Sequence, residues 1–203
     1  MKVTEIFESI QGEGPYIGHR AIFVRLFGCN LDCPFCDTKY SRVEGSIYYP
    51  LEVEDVADVV LRNSSVRHVV ITGGEPTMQM DDLISLSRAL RTNGKFVTLE
   101  TNGANPIDPK EFDKIMVSPK SLDDAEKWLS VPEVDFKFVV SVKNADNILE
   151  WTRKKGLTKC YMMPMGTTPE DIIIGSMVIL EKMAADHQDH ILCPRLHILL
   201  GLK

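Results

Sequence analysis

Short apolar, β-branched runs alternate along the chain with stretches whose apolar residues recur at helical spacing. This alternation constrains the fold more than any other feature. The runs fall near 22–27, 67–72, 95–100, 114–118, 135–140 and 159–164, with 68–72 and 136–140 the clearest. Between them, Val53, Val56, Ala57 and Val60, and then Leu83, Leu86, Ser87 and Leu90, repeat at the three- and four-residue steps that put side chains on one helix face. A third long helix is predicted after Thr168. Thr168 suits the N-cap, Pro169 the first turn, and Glu170 and Asp171 the positive end of the helix dipole. Strand and helix in alternation predict an α/β fold with a parallel sheet and helical crossovers. Six such units are too few to close an eight-stranded barrel, so the expected architecture is an open, partial β/α barrel of about six strands. No repeat, low-complexity tract or Pro/Ser linker divides the 203 residues, and one domain spanning 1–203 is expected.

Ligand sites on such sheets gather at the carboxyl ends of the strands. Here those ends carry polar, Gly-rich and Pro-rich segments. The first predicted strand runs into Cys29, Cys33 and Cys36, and the second into Thr72, Gly73, Gly74, Glu75 and Pro76. The third runs into Glu100, Thr101, Asn102 and Gly103, the fourth into Ser118, Pro119 and Lys120, and the sixth into Met163, Pro164, Met165 and Gly166. All of them are predicted to converge on one face. The helix that would follow the cysteine loop is short or missing in the pattern, with a loop across 39–50.

The cysteine spacing C-x-x-x-C-x-x-C admits three readings. Three thiolates on one loop can hold three irons of a [4Fe–4S] cluster and leave the fourth open to a small molecule. A zinc site would need a fourth ligand, and the nearest candidates, Asp37 and His19, lack finger-like spacing. A redox pair of Cys33 and Cys36 would leave Cys29 unexplained. The cluster reading uses all three thiolates. Beside it, Gly73 and Gly74 let backbone polar groups approach a ligand closely, and Glu75 offers an acceptor for an ammonium group. Read alone, the Gly-Gly-Glu-Pro segment could equally be an ordinary turn.

Composition excludes other classes. Net charge is −6, from 29 acidic against 23 basic residues, and no long basic stripe marks a nucleic-acid groove. Arg153, Lys154 and Lys155 read as a solvated helix end. Residues 1–20 show no signal-peptide pattern, and no apolar run approaches the roughly 18 residues of a membrane span. The expectation is a cytoplasmic protein with reduced thiols. Cys160 and Cys193 read as buried packing residues, and His19, His187 and His190 as solvated.

The cysteine motif together with Gly73-Gly74-Glu75-Pro76 resembles the radical S-adenosylmethionine superfamily. The upstream segment Ser9, Ile10, Gln11, Gly12, Glu13, Gly14, Pro15, with Arg25 and the downstream Cys36-Asp37-Thr38, is similar to the 7-carboxy-7-deazaguanine synthase family within it. That resemblance implies a lyase that uses a [4Fe–4S] cluster, S-adenosylmethionine and Mg²⁺. It would convert 6-carboxy-5,6,7,8-tetrahydropterin to 7-carboxy-7-deazaguanine, with loss of ammonia, through a 5′-deoxyadenosyl radical, in queuosine or 7-deazapurine biosynthesis. It further implies cluster ligation by Cys29, Cys33 and Cys36 and a Mg²⁺ contact from Thr38, a residue that otherwise reads as a turn former. Phe35, Cys36, Asp37, Gly74, Glu75, Ser118, Pro119, Lys120, Met163, Pro164, Met165 and Gly166 would contact the cosubstrate. Ile10, Gln11, Gly12, Glu13, Arg25, Thr72, His197 and Lys203 would contact the pterin. Gln11 presents both donor and acceptor to its amide edge, Arg25 pairs its carboxylate, and Lys203 contributes its terminus. Met163 and Lys203 stand where the family often has Gln and Pro. A small-molecule substrate, an electron donor such as a flavodoxin, a homodimer, and no nucleic-acid or membrane partner complete the expectation. A glycyl-radical activase and a zinc-stabilised interaction module are the alternatives.

Overall fold

The computed structural model describes residues 1–43, 45–186 and 188–203; His187 lies outside the described residues. Among these, one nine-stranded sheet runs through the molecule in the order β3-β1-β2-β4-β5-β6-β7-β8-β9. Its strands are β1 (Lys2–Ile10), β2 (Arg20–Leu26), β3 (Tyr49–Pro50), β4 (His68–Gly73), β5 (Phe96–Thr101), β6 (Lys114–Val117), β7 (Val134–Val140), β8 (Tyr161–Pro164) and β9 (Ile191–Leu192). Neighbouring strands from β2 to β9 pair parallel, while β1 pairs antiparallel with both β2 and β3. The six expected strands correspond to β2 and β4 to β8. The additions sit at the edges. β1 escapes the pattern because its polar residues, such as Glu5 and Glu8, share the strand with Val3, Ile6 and Phe7. β3 and β9 are two residues each, too short to leave a period.

Crossovers are made by α1 (Val53–Arg62), α2 (Met80–Thr92), α3 (Leu122–Glu126), α4 (Ala145–Lys154) and α5 (Pro169–Asp186), and a short α6 (Leu196–Leu199) follows β9. The predicted helical stripes are the buried ones: Val56, Ala57 and Val60 of α1, and Leu83, Leu86, Ser87 and Leu90 of α2. The Thr168 hydroxyl accepts from the Asp171 amide at 3.2 Å and caps α5. Among the described residues after the cysteine loop and before β3 there is a single 3₁₀ turn at Lys39–Ser41, as the pattern implied. Arg153, Lys154 and Lys155 end α4 and pair with Asp186, Glu150 and Glu126. Among the described residues no helix is long and apolar enough to cross a membrane.

Strand alternation separates two faces. Ile22, Val24 and Leu26, Val69 and Ile71, Val97 and Leu99, and Phe136, Phe138 and Val140 belong to the main core under the helices. The alternate residues Phe23, Arg25, Val70, Thr72, Glu100, Lys137 and Val139 line the opposite, concave face. At the amino end of that face His68 meets Thr98 at 2.9 Å. Polarity and charge increase toward the carboxyl ends, where the loops converge.

Candidate active site

A cavity of about 460 Å³ opens at the carboxyl ends of the strands, within the range typical of small-molecule sites. The cysteine loop forms one wall. Cys29, Cys33 and Cys36 are free and partly exposed, and all three face the cavity. The loop is pinned from several sides. Arg42 donates to the Cys33 carbonyl at 3.4 Å and pairs with Asp32 at 2.6 Å, and the Asn102 amide donates to Asn30 at 2.8 Å. Burial pushes up the Cys29 thiol. At Cys36 burial acts the same way but is outweighed by hydrogen bonds from the Thr38 backbone and Arg42, which bring that thiol down.

The glycine pair has a structural task. A Cβ on Gly74 would stand 2.0 Å from the Gly28 carbonyl oxygen and 3.1 Å from Cys29 Cβ. The chain after β4 thus presses directly on the start of the cysteine loop, held by Gly74 N–H to the Leu26 carbonyl at 3.0 Å and Glu75 N–H to the Gly28 carbonyl at 2.7 Å. The Glu75 side chain, 1% exposed, is committed to protein. It accepts from Thr77 N–H (3.1 Å), Thr77 hydroxyl (2.6 Å), Thr101 hydroxyl (2.7 Å) and Asn102 N–H (2.6 Å). Three of these bonds fall on Oε1 and one on Oε2, so this carboxylate, which also lines the cavity, ties the loops together and keeps acceptor capacity on Oε2.

Most other residues expected at the site meet in the same cavity: Ile10, Gln11, Gly12, Glu13, Arg25, Phe35, Asp37, Thr38, Thr72, Ser118, Lys120, Met163, Met165, Gly166, His197 and Lys203 all line it. Pro119 and Pro164 are buried behind the wall instead, setting the course of their loops. Arg25 pairs with Glu5 at 2.8 Å and lies over the rings of Phe7 and Tyr40. Lys203 pairs with Glu5 and also lies over Phe7, and its carbonyl accepts from the Ser9 hydroxyl at 2.8 Å. The α6 segment docks on Gly12, whose carbonyl accepts from the Leu196 amide at 2.9 Å; a Cβ there would sit 1.9 Å from His197 Nδ1.

The charged residues Lys137 and Arg195 of the cavity were not singled out from sequence, and Glu100 was placed there only as part of a strand end. Lys137 donates to Glu13 at 2.5 Å and to Glu100 at 2.6 Å, and Arg195 donates to Glu13 at 3.3 Å. Gln11 donates to Glu100 at 3.3 Å. Burial opposes the Glu13 charge, but Lys137 and Arg195 outweigh it and hold that carboxyl at about 2. Glu100 is raised, first by burial and then by Glu13 despite Lys137. Burial lowers His197. The available signal for Lys137 was a lone charge inside the apolar run 136–140. Glu100 stood in a polar strand end already recognised. Nothing local marks Arg195.

Two expectations outside the cavity resolve in opposite ways. Cys160 and Cys193 are buried, and burial pushes both thiols up to about 12, so they are packing residues as expected. His190, expected to be solvated, is 6% exposed and bonds Thr152 at 3.0 Å and the Cys160 amide at 3.2 Å. It ties α4 to the start of β8, a long-range pairing its own sequence neighbours do not announce.

The family model described as the Radical SAM superfamily matches residues 24–173. A 7-carboxy-7-deazaguanine synthase from Hyperthermus butylicus is 36% identical to this chain, covering 100% of it and 93% of its own length. One from Pyrobaculum aerophilum is 40% identical, covering 98% and 94%. The chain belongs to the 7-carboxy-7-deazaguanine synthase family of radical SAM enzymes. A crystal structure of QueE from Escherichia coli has the same fold, with a TM-score of 0.71 and 25% identity over 94% of this chain and 92% of that one.

Membership in the radical SAM superfamily brings a [4Fe–4S] cluster and S-adenosylmethionine, and the donor set fits them. Three soft, partly exposed thiols suit iron and sulfide, and the loop that carries them opens onto the cavity. Among the described residues no three His, Cys, Asp or Glu side chains converge on a single-ion position. A cluster does not need such convergence, because each thiolate caps its own iron.

Proposed function

We propose that this protein is a 7-carboxy-7-deazaguanine synthase that turns 6-carboxy-5,6,7,8-tetrahydropterin into 7-carboxy-7-deazaguanine with loss of ammonia. The observation that carries the reading is that the three thiols, Gln11 and Arg25 face one cavity, although they lie on separate elements. Cluster and cosubstrate, when bound, would supply one-electron radical chemistry directed at the pterin.

The chain's own residues bind, orient and exclude water. Cys29, Cys33 and Cys36 hold the cluster. Phe35 gives an apolar face to the adenosyl group, with Asp37, Gly74 and the segments at Ser118 to Lys120 and Met163 to Gly166 around the rest. Arg25 offers its remaining guanidinium donors to the pterin carboxylate. Gln11, Glu13, Thr72 and His197 surround the ring edge, and Lys203 covers it. Thr38 offers one hard oxygen to Mg²⁺, a cation that takes few protein ligands and completes its shell with water and ligand oxygens. A homodimer in the cytoplasm reduced by a flavodoxin-like donor accompanies this reading.

The test is anaerobic turnover of reconstituted protein with reductant, S-adenosylmethionine and carboxytetrahydropterin, with product identified by mass. Absence of deazaguanine product while the cluster is intact overturns the reading. Cys33→Ala is expected to lose the cluster and all turnover, read as iron per chain; retained iron and activity would reject the ligand assignment.

A further inference from the structure

Arg195 stands just ahead of α6, with its side chain 6% exposed. Its three guanidinium nitrogens go to three separate segments. Nε donates to Glu13 Oε1 at 3.3 Å, Nη1 to the Gly166 carbonyl, and Nη2 to the Asp37 carboxylate. Glu13 adjoins the residues assigned to the pterin. Asp37 follows the last cluster cysteine, and Gly166 closes the loop after β8, both on the cosubstrate side. Lys137, the other buried cation, spends its contacts on Glu13 and Glu100 and does not reach the cysteine loop.

We propose that Arg195 is a positioning residue that couples occupancy of the cosubstrate half of the cavity to occupancy of the pterin half, an inference that rests on the functional reading above. A guanidinium is a planar fork, so its partners are fixed relative to one another. A ligand that orders one segment orders Arg195, and through it the other two. The second ligand then meets loops whose ordering cost has been met. Linkage requires the effect to be mutual: each ligand tightens the other by the same factor. Loss of the tie is expected to raise 5′-deoxyadenosine formed without product. The next residue reinforces the link, since the Leu196 amide donates to the Gly12 carbonyl beside Glu13.

The experiment uses reconstituted holoenzyme under anaerobic conditions. Equilibrium affinities of S-adenosylmethionine and of carboxytetrahydropterin are measured alone and each in the presence of the other, with 5′-deoxyadenosine formed per product as a second readout. In the wild-type protein each ligand is expected to tighten the other about 5- to 50-fold, within the usual span of coupling between sites. Arg195→Lys keeps the charge but loses the fork. It is expected to bring the factor close to one, leave each single-ligand affinity within a few-fold, and raise 5′-deoxyadenosine per product. If that variant does not load its cluster, Asp37→Ala, which removes the acceptor at the other end, is expected to lower the factor in the same direction; because the factor is a ratio of affinities with and without the second ligand, any loss of cosubstrate affinity by itself cancels. Two results overturn the inference alone: both ligands binding wild type with no mutual effect, or a wild-type factor in the variants. Failure of wild-type holoenzyme to bind the pterin at all overturns the functional reading and this inference with it.

Discussion

Arg25 enters the site already partnered. Glu5 holds its Nε at 2.8 Å and shares its carboxylate with Lys203, so two cations are balanced by one anion. An incoming carboxylate completes that balance through the guanidinium donors that Glu5 leaves free. Arg25→Ala is expected to weaken pterin binding by on the order of 2 kcal/mol, measured as the apparent affinity at saturating cosubstrate; an unchanged affinity would mean the pterin carboxylate lies elsewhere. Gly74 is a residue whose constraint is space. Gly74→Ala puts a methyl group into the Gly28 carbonyl and is expected to shift the cysteine loop, seen as a clear fall in iron retained per chain after reconstitution with the fold intact by circular dichroism. A variant that loads a full cluster would show that the loop can retreat without cost. The sequence named Gly74 for the right place and for a different neighbour: the close approach it permits is first to the cysteine loop itself. Glu75 differs in the same manner, its four accepted hydrogen bonds being local and long-range partners that no spacing rule supplies.

Among the elements, α5 shows how local chemistry sets a boundary. Thr168 caps it, Pro169 opens it, and Asp171 turns its carboxylate to the Thr167 amide. Thr168→Ala is expected to cost about 1 kcal/mol of stability, read from the midpoint of urea unfolding with an unchanged slope. No change in midpoint would show that the neighbouring loop holds the helix start without the hydroxyl. The three helices α1, α2 and α5 and the six central strands were legible because each carries its own period, 3.6 or 2, over enough residues to register. β1 was not, because its alternation mixes acids with apolar residues, and it gains its place by pairing along β2 from Val3 to Ile10. β3 and β9 exist only as pairings to a neighbour.

At the scale of the whole molecule, buried titratable groups tie stability to pH. Burial, and then the nearby His19, pushes His68 down to about 4 from an ordinary 6.5, and burial lowers His190 as well. Between about 4 and 6.5 the unfolded chain binds a proton at His68 that the folded chain refuses, so the His68 contribution is full above about pH 6.5 and is lost as pH falls toward 4, with His190 acting in the same direction. Glu13 adds a second stage: held at about 2 against an ordinary 4.5, it stabilises above 4.5 and its contribution fades as pH falls toward 2. The thermal midpoint is expected to drop between about pH 6.5 and pH 4.5, and His68→Leu is expected to flatten that drop. Equal slopes in both proteins would show that His68 takes up no differential proton. The sequence by itself determined the strand–helix succession, the three-thiol loop and the convergence of polar strand ends, because these are set by period, spacing and the geometry of parallel sheets. Only the tertiary structure decided which charges meet. Lys137 between Glu13 and Glu100, Arg195 across three loops, and α6 against Gly12 join residues far apart in the chain. Such pairings are fixed by packing and by the need of a buried charge for a partner, which no local pattern encodes.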